Sequence, residues 1–136
     1  MYAANLMDSD RDLLCKALRF LMGSDGVLAT EEWQFLDASA RVLGLDPALY
    51  REAEVKSALL SQMRLISGEA AKRILLMELV NMAHADGEYN DQERNAVLEM
   101  ATFMGISSDI LGHVEHWVES GIQHATEGQH LFLIGG

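Results

Sequence analysis

The sequence predicts an all-α fold, and three observations lead to this prediction. The 136-residue chain contains a single proline, and its β-branched residues are sparse and never alternate with polar residues over a strand length. Ala, Leu, Met, Glu and Arg, which favour helices, fill most segments instead. Leu14, Leu18 and Leu21 recur at spacings of four and three, as in a helix with one buried face. We therefore expect one helical domain over residues 1–136, with about six or seven helices.

Capping residues and glycines predict the first three helices. Asp8 or Asp10 can cap a helix that reaches about Met22, before the run from 23 to 26 (Gly-Ser-Asp-Gly) ends it. The second begins near Thr30 and ends at Gly44, a typical C-terminal glycine. Asp46-Pro47 predicts the start of a third helix that reaches the 55–60 region, because proline is tolerated at the first helical position behind an Asp cap.

The second half of the chain predicts a central helix and two more helices. Ser67-Gly68-Glu69 leads into a helix that is apolar on all sides, so we place it at the centre of the domain. The next helix runs from about Asp91 to Met104, and Ser107 with Asp109 starts another that runs through Trp117 to Gly121. These elements give a core of about residues 8–121. The tail, 122–136, finishes with an apolar run that could dock on the domain.

An internal repeat relates the two halves of the core. Asp25-Gly26 and Asp86-Gly87 are separated by 61 positions, and other pairs share this offset. The matching pairs include buried-stripe, acidic and glycine positions: Leu14 and Leu75, Leu18 and Leu79, Glu32 and Glu93, Ala40 and Ala101, Gly44 and Gly105. Self-similarity at a fixed offset indicates a repeated structural unit. We therefore expect two pseudo-symmetric helical hairpins, at about 11–44 and 72–105.

Two motifs of this repeat carry a resemblance to a known family. Gly23-Ser24-Asp25-Gly26 with Glu32, and Ala83-His84-Ala85-Asp86-Gly87 with Glu93, resemble the paired motifs of TerB-like tellurite-resistance domains over about residues 8–110. The resemblance implies an all-helical domain with a divalent-cation site. Its ligands would be the acidic residues of the repeated loops, namely Asp25, Glu32, Asp86 and Glu93. TerB-like modules also occur in membrane-bound DnaJ-type co-chaperones and in multidomain stress proteins, which implies a role in a larger, envelope-associated assembly.

The residue types of the two loops support the same chemistry without the family. An Asp at a helix end and a Glu at the start of the next helix place two oxygen donors beside one turn. Such donors suit Ca²⁺, Mg²⁺ or Mn²⁺ better than Zn²⁺. If the two turns meet, four carboxylates repel one another unless a cation lies between them. The loops therefore predict a divalent metal ion as cofactor.

Ordinary helix capping is the alternative interpretation of the same residues. Gly26 and Gly87 permit a turn with positive φ, and Glu93 follows Asn90 by three residues, as in a capping box. Ala29, at the position that matches Asn90, cannot cap, so capping explains Glu93 better than Glu32. A calcium loop of the EF-hand type is disfavoured, because the positions that should supply its first oxygen ligands hold other residues.

Other candidate sites are weaker. His113 and His116 lie one helical turn apart, but two ligands do not hold a zinc ion. Cys15 has no fixed basic neighbour in the sequence and is expected to pack as a small apolar residue. No glycine-rich phosphate loop and no nucleophile motif occurs in the sequence. The sequence therefore predicts no enzymatic activity.

Charge and composition define the expected partners and compartment. Ten Lys and Arg against 21 Asp and Glu give a net charge of −11, which disfavours nucleic acid and anionic lipid. A single cysteine and a start without signal-peptide features suggest the cytoplasm, and the apolar runs are too short to span a bilayer. The leading hypothesis is a TerB-like, cation-binding stress-response module with protein partners. The competing hypothesis is a metal-free interaction scaffold with an acidic binding face.

Overall fold

The computed structural model describes residues 6–85, 87 and 89–135, with side chains up to residue 121. Within these residues the chain forms six α-helices and one short 3-10 helix, Pro47–Tyr50. The α-helices are α1 Asp8–Met22, α2 Thr30–Val42, α3 Lys56–Arg64, α4 Glu69–Ala83, α5 Asp91–Phe103 and α6 Ser108–Gly135. No strand occurs in the described part of the chain, so the prediction of an all-α fold is confirmed.

Glycines end α2 and α5 as the sequence predicts. Gly44 and Gly105 both have φ +77°, which is unfavourable for residues with a Cβ. The amide of Leu45 donates to the carbonyl of Ala40 at 2.8 Å, and the amide of Ile106 donates to that of Ala101 at 2.9 Å. These six-to-one hydrogen bonds are the Schellman motif, which satisfies carbonyls at the end of a helix.

The predicted helix from Asp46-Pro47 into the 55–60 region is wrong. Asp46 does cap a turn, since its Oδ1 accepts from the amide of Ala48 at 3.0 Å, but this turn is the short 3-10 helix. The hydroxyl of buried Tyr50 donates to Asp12 Oδ1 of α1 at 2.6 Å. This contact with a distant helix anchors the turn, and α3 begins only at Lys56.

Two further boundaries differ from the prediction. Neither Asp8 nor Asp10 caps α1, because the N-cap residue is Met7 and both acids lie in the first turn. There they still interact favourably with the positive end of the helix dipole. Gly121 does not end α6, which continues to Gly135. The expected docking of the 122–136 tail concerns side chains outside the described residues.

The bounds of the helices agree with the repeat offset. Glu69 follows Asp8 by 61 positions, and Phe103 follows Val42 by the same number, so α4 and α5 match α1 and α2 in length and position along the chain. Gly26 and Gly87 also have similar torsions, with φ +80° and +84°. These features agree locally with a duplication. The superposition of residues 11–44 on 72–105 stays a prediction.

The core forms around α4, which contacts α1, α2, α5 and α6. Leu75, Leu76 and Leu79 of α4 are fully buried, as the central placement of this helix predicts. Cys15 is also fully buried, and burial raises the pKa of its thiol to about 12, consistent with a packing role. No helix in the described part of the chain combines the length and hydropathy needed to cross a membrane.

Candidate functional site

Two of the four predicted metal ligands occupy the same position in matching helices. Glu32 is the third residue of α2 and Glu93 is the third residue of α5, and each is only 1% exposed. At this position a carboxylate lies beside the free amides of the first helical turn, whose partial positive charge stabilises it. Each loop therefore directs a buried glutamate toward the interior of the domain.

The environment of Glu93 confirms the predicted capping box. Asn90 Oδ1 accepts from the amide of Glu93 at 2.9 Å, and Glu93 Oε1 accepts from the amide of Asn90 at 3.2 Å. The matching residue before α2, Ala29, supplies no side-chain cap. Reciprocal capping thus holds Glu93 in place, whereas Glu32 is buried at the equivalent position without the corresponding box.

Asn90 also joins the two acidic loops. Its Nδ2 donates to Asp25 Oδ2 at 2.9 Å, while Asp25 Oδ1 accepts from the amide of Val27 at 2.9 Å. Asp25 and Glu93 are therefore bridged by one amide side chain, although they lie far apart in the sequence. The first acidic loop therefore contacts the residue that caps α5, at the end of the second loop, and the sequence does not predict this contact.

The predicted ligand set is only partly covered by the structure. Asp86 lies outside the described residues. Among the residues described, no group of three or more His, Cys, Asp or Glu side chains is arranged to hold a metal ion, so Asp25, Glu32 and Glu93 do not form a ligand cluster by themselves. Their chemistry nevertheless fits a hard cation, because all are carboxylates and two are buried.

A second polar cluster lies beside the loops, between α5 and α6. The guanidinium of Arg94 donates from Nε to Glu115 Oε2 at 3.0 Å and from Nη2 to Oε1 at 3.1 Å. Burial, with Glu115 nearby, raises the pKa of Tyr89. His84, in the second acidic motif, has Nε2 3.8 Å from Glu119 Oε1. These contacts attach α6 to the loop that contains the second motif.

The ion pair between Arg94 and Glu115 involves a residue that lies between the two histidines considered above as zinc ligands. His113 and His116 are both exposed, and Glu115, which the sequence places between them, is committed to Arg94. Nothing in the sequence around His84 indicates a separate role for it, and no local pattern predicts the Arg94–Glu115 pair. It also identified Asn90 only as a cap, because nothing local signals its contact with Asp25, 65 positions earlier.

Comparison of the chain with protein-family models, with curated proteins and with solved structures finds no match.

Proposed function

We propose that this protein is a TerB-like helical module that binds a divalent cation through its two acidic loops. The observation that carries the proposal is the burial of Glu32 and Glu93, each 1% exposed, at the equivalent position of two matching helices. Burying a carboxylate is unfavourable unless hydrogen bonds, helix dipoles or a cation compensate. The capping box provides hydrogen bonds to Glu93, and a cation held between the loops would neutralise both buried carboxylates.

The contact between the loops supports a shared site. Asn90 directs the positive end of its amide dipole at Asp25 Oδ2 at 2.9 Å. Asp25, Glu32, Asp86 and Glu93 would supply the ligands, and Ca²⁺, Mg²⁺ or Mn²⁺ matches these oxygen donors. The cation would neutralise the charge that the two loops accumulate, and so stabilise the contact between them.

The proposed role of the cation-bound protein in the cell is based on its resemblance to TerB-like domains. TerB-like domains act in tellurite-resistance and stress-response assemblies, so we place this module in a larger, envelope-associated assembly with protein partners. The chain would then contribute binding rather than catalysis.

Thermal unfolding of chelator-stripped protein tests the cation site. Each cation in turn is added at about 100 times its dissociation constant, which stabilises a one-site protein by about 2.7 kcal/mol and raises Tm by roughly 8 °C. The double variant Asp25→Asn/Asp86→Asn should lose this increase. Asp91→Asn, an exposed acid in the first turn of α5, is the matched control and should keep it. An unchanged increase in the double variant would locate the cation elsewhere.

A metal-free interaction scaffold is the second candidate, and one observation favours it. Both oxygens of Asp25 already accept hydrogen bonds from Val27 and Asn90, and Glu93 completes its capping box. These bonds occupy both oxygens of Asp25 and Oε1 of Glu93 without a cation. If no cation changes Tm, the acids serve as structural groups, and the acidic face becomes the surface that a basic protein partner would contact.

A further inference from the structure

A groove between α4 and α6 has the composition of a ligand site. Its volume is about 300 Å³, near the lower end of the range for small-molecule sites. Six residues line it: Arg73, Met77, Ile110, His113, Val114 and Trp117. Four of them are apolar or aromatic, and the two polar ones carry nitrogen donors. The groove is therefore an apolar slot with cationic or hydrogen-bonding groups beside it.

Helical spacing explains why these side chains share one face. Arg73 and Met77 are four residues apart on α4, while Ile110, Val114 and Trp117 follow one another at four and three on α6. The aliphatic residues are half-buried, and Trp117 remains 51% exposed. Apolar surface is thus accessible between two packed helices, next to a polar rim.

The polar residues beside the groove indicate which kind of ligand it binds. Arg73 is exposed and forms no ion pair within the described residues, although the protein carries a net charge of −11 and has acids to spare. His113 is also exposed and can donate a hydrogen bond. A carboxylate beside an apolar chain complements this arrangement, since guanidinium groups bind carboxylates with directional, charge-assisted hydrogen bonds.

We propose that this groove binds an aliphatic monocarboxylate, with the carboxylate at Arg73 and His113 and the hydrocarbon chain along Met77, Val114 and Trp117. The small volume restricts the ligand to a medium-chain acid. This site is distinct from the acidic loops and does not depend on the proposed cation.

Titration with decanoate tests the proposal, with fluorescence of Trp117 as the signal. Trp33→Phe removes the other tryptophan, and chelator is present throughout. Decanoate should produce a saturable change below its micellar concentration. Shortening the chain should weaken binding by up to about fourfold for each methylene removed. Decanol should bind about tenfold more weakly than decanoate, because it lacks the charge.

Arg73→Gln, in the same background, should weaken decanoate binding about tenfold and leave decanol binding unchanged. Arg41→Gln, an exposed arginine at the end of α2, is the matched control and should bind as the parent does. Arg73 is exposed, so the variant should retain its helical circular dichroism. Absence of saturable binding, or equal decanoate affinity in the Arg73→Gln and parent proteins, would overturn the proposal.

Discussion

Asn90→Asp separates the structural and cation-binding roles of the acidic loops. Asp caps helices about as well as Asn, so the variant keeps the acceptor for the amide of Glu93. It loses the Nδ2 donor that lies 2.9 Å from Asp25 Oδ2 and places a second carboxylate against the first. We therefore expect the apo protein to lose stability while α5 remains capped.

The expected loss of stability combines a lost hydrogen bond with a new repulsion between two carboxylates. The lost hydrogen bond is worth about 1 kcal/mol. Two like charges about 4 Å apart repel by roughly 1 kcal/mol in water and about 4 kcal/mol at the effective dielectric of a protein surface, and both side chains are half-buried. Together these terms predict a loss of about 3 kcal/mol in the free energy of unfolding in chelator.

Urea unfolding with chelator and with saturating Mg²⁺ or Ca²⁺ provides the assay. The cation should restore most of the lost stability, because the new carboxylate faces Asp25 and can act as a ligand. Asn95→Asp, an exposed substitution on the same helix, is the matched control and should change stability by less than about 0.5 kcal/mol. A variant as stable as the wild type in chelator would refute the loop contact, and one that no cation restores would refute a shared site.

Three further predictions concern the core and the second polar cluster. In urea unfolding, Arg94→Ala should destabilise the protein by about 2 to 3 kcal/mol and Glu115→Ala by only about 1 kcal/mol. Arg94→Ala leaves the charge of Glu115 unpaired at 11% exposure, whereas Glu115→Ala leaves that of Arg94 at 45% exposure, where water solvates it. Equal losses in the two variants would contradict this reasoning. Burial raises the pKa of Glu78, so its contribution to stability is fully present below the unfolded pKa of about 4.3 and is lost as pH rises through the folded pKa. Glu78→Gln should therefore gain stability relative to the wild type between pH 4 and pH 7, and a constant difference in urea unfolding would argue against it. Cys15, with its pKa near 12, should react with iodoacetamide at pH 8 only as fast as the protein unfolds, whereas rapid labelling of native protein would show that the thiol is accessible.

Helix ends were predictable where their signals are local. Gly44 and Gly105 end helices because the Schellman motif requires a positive φ within a few residues of the last turn. Asn90 and Glu93 form the capping box that their spacing indicates. Asp46-Pro47 predicted a helix into the 55–60 region, but the structure has only a short 3-10 helix where that helix should begin. That turn is anchored by the contact between Tyr50 and Asp12, which lie 38 positions apart, so no local pattern predicts it.

The sequence predicts which residues belong to the candidate site better than it predicts how they are arranged in space. The repeat offset pairs Glu32 with Glu93, and both are buried at the third position of matching helices, while their role as ligands stays a prediction. The bridge from Asp25 through Asn90 depends on how α1 and α5 pack, and so required the structure. Gly121 failed as a helix end because a glycine inside a helix loses only about 1 kcal/mol relative to alanine, which neighbouring residues can offset.

Isothermal titration calorimetry of Glu32→Gln, Glu93→Gln and Glu31→Gln tests the cation site most directly. Glu31 precedes Glu32 in the same turn of α2 but is exposed, so its variant is the matched control. We expect saturable binding of Ca²⁺, Mg²⁺ or Mn²⁺ to the chelator-stripped wild type and to Glu31→Gln, with strongly weakened binding in the other two variants. Cation affinities that are the same in all four proteins, or no binding heat with any of these cations, would contradict it.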